Sequence, residues 1–295
     1  MKQIISQISS QLQTAYPEDE ARSLAWWIAE ELTGKSRTEL QFGCKDTAFS
    51  PIMQEKSQEI ISRLLHFEPI QYIFGHTLWC GLDLLVTPAT LIPRPETAEL
   101  VERINVRMVN DQMVNVLDVG TGSGCIALAL KKAHPSWSVT GIDISPEAIT
   151  IARENARRNK VEVNFQVVDI FSNQMTKYLN KWYMVNDPMV NIVVSNPPYI
   201  CESEKSSMRP NVLNFEPYSA LFVPDSDPLL FYRRIAELFS LPLEGKGRER
   251  GLFFEINEAY GPQLSAMLDS LGYTDIQIHK DIYGKDRIIE ARMAR

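Results

Sequence analysis

The 295 residues carry 44% apolar and 23% charged side chains, an ordinary globular balance that excludes a disordered or collagen-like chain. Thirty Lys and Arg against 37 Asp and Glu leave a net charge of −7, the wrong sign for a protein whose main task is gripping a phosphate backbone, so no direct nucleic-acid partner is expected. The length suits two domains, or one large domain with an appendage.

No run approaches the roughly 18 apolar residues of a membrane span. The start, Met1-Lys-Gln-Ile-Ile-Ser-Gln-Ile8, turns polar too soon for a signal peptide. A cytoplasmic protein without membrane contact is the expectation. Cys44, Cys80, Cys125 and Cys201 form no Cys-x-x-Cys pair, and His66, His76, His134 and His279 show no His-x-x-x-His spacing. No metal site is expected.

From 1 to about 75 the apolar spacing is helical. Ile4, Ile5, Ile8 and Leu12 make one face, and Ala21, Leu24, Ala25, Ile28, Ala29 and Leu32 a second that Gly34 stops. Ser57–Leu65 reads as another helix. The short aromatic and β-branched runs from Pro69 to Val86, with glycines between them, suggest a hairpin. Ile92-Pro-Arg-Pro-Glu-Thr97 is a rigid extended segment that opens a helix over Glu96–Val106.

After residue 113 strands and helices alternate. Strands are expected at 114–119, 138–143, 161–168, 190–195, 252–256, 275–279 and 287–292. Helices are expected at Cys125–Ala133, Pro146–Asn159, Leu229–Ser240 and Gly261–Leu271. That order predicts an α/β fold with a mostly parallel sheet covered by helices on both faces.

Asp118-Val-Gly-Thr-Gly-Ser-Gly124 follows the first of these strands and opens its helix. Glycines there allow a tight turn and a close ligand approach. Asp143 ends the next strand about twenty residues on, where a carboxylate can take both hydroxyls of a ribose. The spacing is not that of dinucleotide binders, and no base stands near to help hold a pyrophosphate. Asp118 reads as an acidic flank suited to a sulfonium, which favours S-adenosylmethionine, and Asp169 stands ready for an adenine amino group. Gly34-Lys-Ser36 is only half a P-loop and sits at a helix end, and Gly245-Lys-Gly-Arg-Glu-Arg250 reads as a solvated loop.

Ser195-Asn-Pro-Pro-Tyr199 closes the fourth strand, on the edge of the sheet where the glycine turn lies. Two prolines fix the backbone, so the Asn196 side-chain oxygen and the Pro197 carbonyl are held as acceptors. Acceptors on both hydrogens of an amide or aromatic amine favour a pyramidal nitrogen with an exposed lone pair. Tyr199 would pack on the planar group being modified. The catalysis expected is positioning and electrostatics without a strong base.

With these motifs on the page, the chain resembles the release-factor glutamine N5-methyltransferases, the HemK/PrmC family, over nearly its whole length. The resemblance rests on Glu68-Pro-Ile-Gln-Tyr-Ile-Phe-Gly75, Leu91-Ile-Pro-Arg-Pro-Glu-Thr97, the turn segment Leu117–Ala127, Gly141-Ile-Asp-Ile-Ser145, Ala152-Arg-Glu-Asn-Ala156, Val194–Ile200, Glu216-Pro217, Phe231-Tyr-Arg-Arg-Ile235 and Lys285-Asp-Arg287. It implies a seven-stranded Rossmann-like class I methyltransferase sheet. Before it come a helical substrate-recognition domain over 1–75 and a hairpin linker over 76–95, leaving 96–295 as the methyltransferase domain. It implies S-adenosylmethionine, with S-adenosylhomocysteine as product, at Gly120, Thr121, Gly122, Ser123, Gly124, Asp143, Ile144, Asp169, Ile170 and Asn196. It implies a substrate glutamine, in the Gly-Gly-Gln motif of peptide chain release factors, held by Asn196, Pro197, Pro198 and Tyr199 with Arg94 and Glu96 nearby. The enzyme is expected to act as a monomer. Competing acceptors are a glutamine of a ribosomal protein and the exocyclic amine of a base. The chain departs from the family at Phe222–Pro228, where many members read Gly-Gly-x-Asp-Gly, and at Ile170, where Trp or Leu is common.

Overall fold

The computed structural model describes residues 1–42, 49–108, 114–173, 175, 178, 179, 192–240 and 250–293. Cys44, the start of the fourth expected strand at 190–191 and the basic stretch 245–249 lie outside the described residues. The chain divides into two compact units, one of residues 1–75 with 209–215 and one of 76–208 with 216–295.

The first unit is helical. α1 (Lys2–Leu12) buries Ile5, Ile8 and Leu12, the residues spaced to share one face. α2 (Glu18–Thr33) has Pro17 at its N-cap and three acids in its first turn, which complement the helix dipole. Gly34, at φ +65°, ends it with its N–H on Glu30 O, so the Gly-Lys-Ser stretch is a helix stop. After α3 (Arg37–Phe42) comes α4 (Pro51–Leu65). It starts earlier than the apolar spacing suggests, because Ser50 Oγ accepts from Met53 N with Pro51 at the first helical position. The faces meet in a core of Ile5, Ile8, Leu12, Ala25, Ile28, Ile61 and Leu64. Residues 70–74 form a helical turn, α5 (Ile70–Phe74), and not part of a hairpin. Pro69 caps it and Gly75 at φ +76° closes it, so local capping overrides the β-branched composition.

The second unit opens on the hairpin of β1 (His76–Trp79) and β2 (Leu82–Leu85). It packs on the body of this unit through Trp79, Leu82 and Leu84. Asn155, in the later helix over Pro146–Asn159, fixes it further. The Asn155 Oδ1 accepts from Leu85 N, while its Nδ2 donates to Leu85 O and to Ser123 O. One buried amide thus satisfies both backbone groups of an edge residue and a carbonyl of the glycine turn. Removing it orphans all three, at roughly 1–3 kcal/mol for each buried group left unpaired.

After α6 (Pro95–Arg107) the sheet is built from β3 (Asn115–Val119), β4 (Ser138–Asp143), β5 (Asn164–Val167), β6 (Ile192–Ser195), β9 (Arg250–Glu255), β10 (Tyr273–Lys280) and β11 (Asp286–Met293). Between β6 and β9 a two-residue parallel pair, β7 (Ile200–Cys201) and β8 (Phe222–Val223), starts the Phe222–Pro228 segment. α7 (Cys125–Ala133), α8 (Pro146–Asn159), α9 (Leu230–Ser240) and α10 (Gly261–Ser270) accompany the sheet. Its strand order is β10-β11-β9-β6-β3-β4-β5, a sheet of the seven strands that the resemblance implies. β5, β4, β3, β6 and β9 are parallel, whereas β11 runs antiparallel to both neighbours. The reason is chain length. Only 281–285 join β10 to β11, enough for a hairpin turned at Gly284 (φ +80°) and too few for a crossover.

β5 is shorter than the expected 161–168. Lys160 takes a left-handed cap at φ 55°, and Val161 and Val163 pack against the core before pairing begins. The register sets Val119 beside both Ile142 and Ser195. The ends of β3, β4 and β6 therefore lie side by side at the middle of the sheet.

Candidate active site

A cavity of about 400 Å³ opens over those three strand ends, within the range of small-molecule sites. Gly120, Thr121, Gly122, Ser123, Asp143, Ile144, Asp169, Ile170, Asn196, Pro197, Pro198 and Arg94 line it. Gly124, Glu96 and Tyr199 do not.

The glycine turn is tied to the sheet from below. Gly120 N and Thr121 N both donate to Ile142 O at 2.9 Å. Gly122 N donates to Asp143 Oδ2 and Ser145 N to Asp143 Oδ1, each at 2.9 Å. Asp143 is thereby aimed at the cavity with lone pairs left on both oxygens, and burial raises its pKa. Two glycines are required by close approach. A Cβ at Gly141 would meet the Phe165 ring at 2.6 Å and Thr121 Oγ1 at 2.7 Å; one at Gly124 would meet the same ring at 2.9 Å.

Asp118 corrects the expectation of an acidic flank. It is wholly buried and turned into the turn itself, where Oδ2 accepts from Thr121 Oγ1 at 2.6 Å and Ala127 N at 3.2 Å. Its Oδ1 has no hydrogen-bond partner among the described residues, and burial pushes the carboxyl up to about 7. Asp118 holds the turn together and does not line the cavity. Among the described residues the negative lining comes from Asp143, Glu147 and Asp169, Arg94 is the basic one and no lysine lines the cavity. That balance suits a cationic ligand better than a pyrophosphate, and Ile144, Ile170 and Phe171 add apolar walls. The lining therefore fits S-adenosylmethionine: a carboxylate for the ribose, apolar sides for the base and three acidic residues against one arginine where a sulfonium is to be held.

At the other end Ser195 Oγ donates to Val119 O at 2.6 Å, locking the end of β6 to that of β3. Asn196 Nδ2 donates to Thr97 Oγ1 at 3.2 Å, and Thr97 Oγ1 donates to Glu255 Oε2 at 2.7 Å. The Tyr199 hydroxyl donates to Glu255 Oε1 at 3.0 Å. Tyr199 is thus occupied holding Glu255, and burial beside that carboxylate raises its pKa far above the usual phenol value. Its ring packs against the core that includes Phe254 and Tyr232.

Arg94 is engaged as well. Its guanidinium pairs with Glu216, whose other oxygen accepts from Ile92 N at 3.2 Å; the Arg94 carbonyl accepts from Trp79 Nε1 at 2.8 Å. The Glu216 side chain is fully buried, so this charge pair fixes the rigid 92–97 segment as a cavity wall.

Thr97, Glu255 and Glu216 are the residues that reading the sequence missed. Thr97 shares a face with Leu100, Val101 and Ile104 at helical spacing, which marked it as inward-facing. Glu255 interrupts an apolar strand run, Leu252-Phe-Phe-Glu-Ile256, another available signal. Nothing in the sequence joins the two.

Two family models match the chain, a PrmC N-terminal domain over residues 3–75 and a methyltransferase domain over 110–212. The release factor glutamine methyltransferase of Bacteroides thetaiotaomicron is 44% identical over 294 residues, 99% of each chain. That of Flavobacterium psychrophilum is 38% identical over 98% of each. Among solved structures, the hMettl16 catalytic domain in complex with MAT2A 3'UTR hairpin 1 superposes with a TM-score of 0.54 at 13% identity. The match covers 97% of this chain and 91% of that one, a likeness of fold alone.

Proposed function

The chain belongs to the release factor glutamine methyltransferase family, and from that premise we propose that it moves a methyl group from S-adenosylmethionine to the side-chain amide nitrogen of the glutamine in the Gly-Gly-Gln motif of a peptide chain release factor. The observation that carries the reading is Asn196: its Nδ2 is committed to Thr97, which leaves Oδ1 as an acceptor at a cavity shared with Asp143 and the glycine turn.

When bound, S-adenosylmethionine supplies an electrophilic methyl group on a positively charged sulfur. Gly120–Gly122 and Ser123 would hold it from the turn, Asp143 would accept from the ribose hydroxyls, and Asp169 with Ile144 and Ile170 would receive the base. Asn196 Oδ1 and the Pro197 carbonyl accept the two N–H groups of the glutamine amide. These contacts pull the nitrogen out of conjugation with its carbonyl and hold its lone pair in one direction. Once the nitrogen has taken the methyl group and carries positive charge, it gives one of its protons to water. No strong base is needed, since the gain lies in orientation and in fixed dipoles placed where positive charge develops.

We assign protein recognition to residues 1–75, which carry none of the cavity's residues, and a cytoplasmic location to the enzyme. No described helix is long and apolar enough to cross a membrane. The test is transfer of labelled methyl to purified release factor, with a ribosomal protein and an oligonucleotide offered in parallel. Label on the release factor supports the reading; label confined to either alternative overturns it.

A further inference from the structure

We propose that Thr97 and Glu255 are positioning residues: they fix which way the Asn196 amide faces, so that its oxygen and not its nitrogen meets the substrate. A hydroxyl has one proton to give. Thr97 gives it to the carboxylate of Glu255 at 2.7 Å, so towards Asn196 it acts only as an acceptor. Asn196 must then present Nδ2 to Thr97, and a flipped amide would set two acceptors against each other. Glu255 is 1% exposed and cannot be exchanged for water as a partner. Its second oxygen takes the Tyr199 hydroxyl, so the same carboxylate anchors both ends of the Asn-Pro-Pro-Tyr loop. Its backbone carbonyl takes the Tyr232 hydroxyl at 3.0 Å, which steadies the end of β9 from the α9 side.

The relay matters because a flipped amide offers the glutamine a donor where the chemistry needs an acceptor. The two orientations differ little in shape, so packing alone selects weakly between them. A chain of three directed hydrogen bonds from α6, β9 and the loop selects strongly. Neither Thr97 nor Glu255 touches the reacting atoms in this scheme, and both act through Asn196.

This inference rests on the methyl-transfer reading, and its test separates the two. Wild type, Thr97→Val, Thr97→Ser and Glu255→Gln are compared in single-turnover methylation of a release factor at saturating cofactor. Cofactor binding is measured by calorimetry, and the Asn196 side-chain amide signal by NMR of 15N-asparagine-labelled enzyme, identified by its loss in Asn196→Ala. Thr97→Val is expected to slow transfer roughly tenfold to a hundredfold, leave cofactor affinity within about twofold and shift the Asn196 amide signal. Thr97→Ser keeps the hydroxyl and is expected to restore the rate to within about threefold and the signal to its wild-type position. Glu255→Gln leaves one acceptor oxygen for two hydroxyl donors and so weakens the relay at unchanged bulk, a second route to a lowered rate and a shifted signal should Thr97→Val fold poorly. A Thr97→Val enzyme with wild-type rate, or an Asn196 signal unmoved in both variants, would overturn the relay. The amide signal reads the relay even if wild type proves inactive on the release factor, an outcome that would sink the substrate reading alone.

Discussion

The glycine turn at one end of the cavity is held by its near neighbours. Asp118 binds Thr121 and Ala127, and the backbone of 120–122 binds the end of the adjacent strand at 142–143. Asn196 at the other end is held by Thr97, 99 residues away in sequence, and Thr97 by Glu255, 158 residues away. The first end is preformed wherever β3, β4 and their turn are formed. The second exists only when α6, β6 and β9 have assembled. Damage to the first end should appear as lost cofactor affinity or stability, and damage to the second as lost rate with both preserved.

The largest effect is expected at Asn196. Asn196→Ala should slow single-turnover methyl transfer about a hundred- to thousandfold, on the order of 2.7–4 kcal/mol in the barrier, with a near-normal melting temperature. Asn196→Asp keeps an acceptor oxygen and should retain part of the rate. An alanine variant within threefold of wild type would remove Asn196 from the chemistry.

At the turn, Asp118 should set a pH dependence of stability. Burial raises its folded pKa to about 7 from an ordinary value of 3.8. The folded state therefore holds the proton more tightly than the unfolded state, and stability falls as pH rises from about 4 to about 7. The loss should be roughly 3 kcal/mol once local relaxation is allowed for. Asp118→Asn retains an oxygen for Thr121 and Ala127 and should flatten the slope, read from urea unfolding between pH 4.5 and 8. A slope unchanged in the variant would show that folding does not shift the titration of Asp118.

Asp143→Ala should weaken cofactor binding by roughly 1.5–3 kcal/mol for each lost bond to the carboxylate, read by calorimetry, while the isolated fold persists. Unaltered affinity would exclude Asp143 from the site. The smallest effect is expected at Gly141, where an added methyl would press on Phe165 and Thr121. Gly141→Ala should cost roughly 1–3 kcal/mol of stability. Phe165→Leu, by making room, should recover part of it in the double variant, and purely additive losses would argue against that contact.

The same contrast explains what the sequence disclosed. The glycine turn, Asp143 and the Asn-Pro-Pro-Tyr loop are contiguous runs whose backbone demands are written in glycine and proline, and the alternation of strands and helices places them on one edge of a sheet. The helices at 125–133 and 146–159 match in both bounds because their starts carry a glycine turn or a Ser-Pro cap. The helical turn at 70–74 was hidden because its caps compete with a β-like composition. The inward turn of Asp118 was hidden because an acid beside a ligand turn reads the same whether it faces cavity or core. The pairing of Thr97 with Glu255 stayed hidden for a stronger reason. Each carries a local sign of burial, but only the tertiary fold brings a helix's first turn against the end of a distant strand.

The central claim is that this cavity methylates a glutamine amide, and tandem mass spectrometry of a release factor after incubation with enzyme and S-adenosylmethionine tests it most directly. The account predicts one added methyl on the side chain of the Gly-Gly-Gln glutamine, present with wild type and nearly absent with Asn196→Ala over the same interval. A methyl found on another residue, or found equally with the alanine variant, would contradict it.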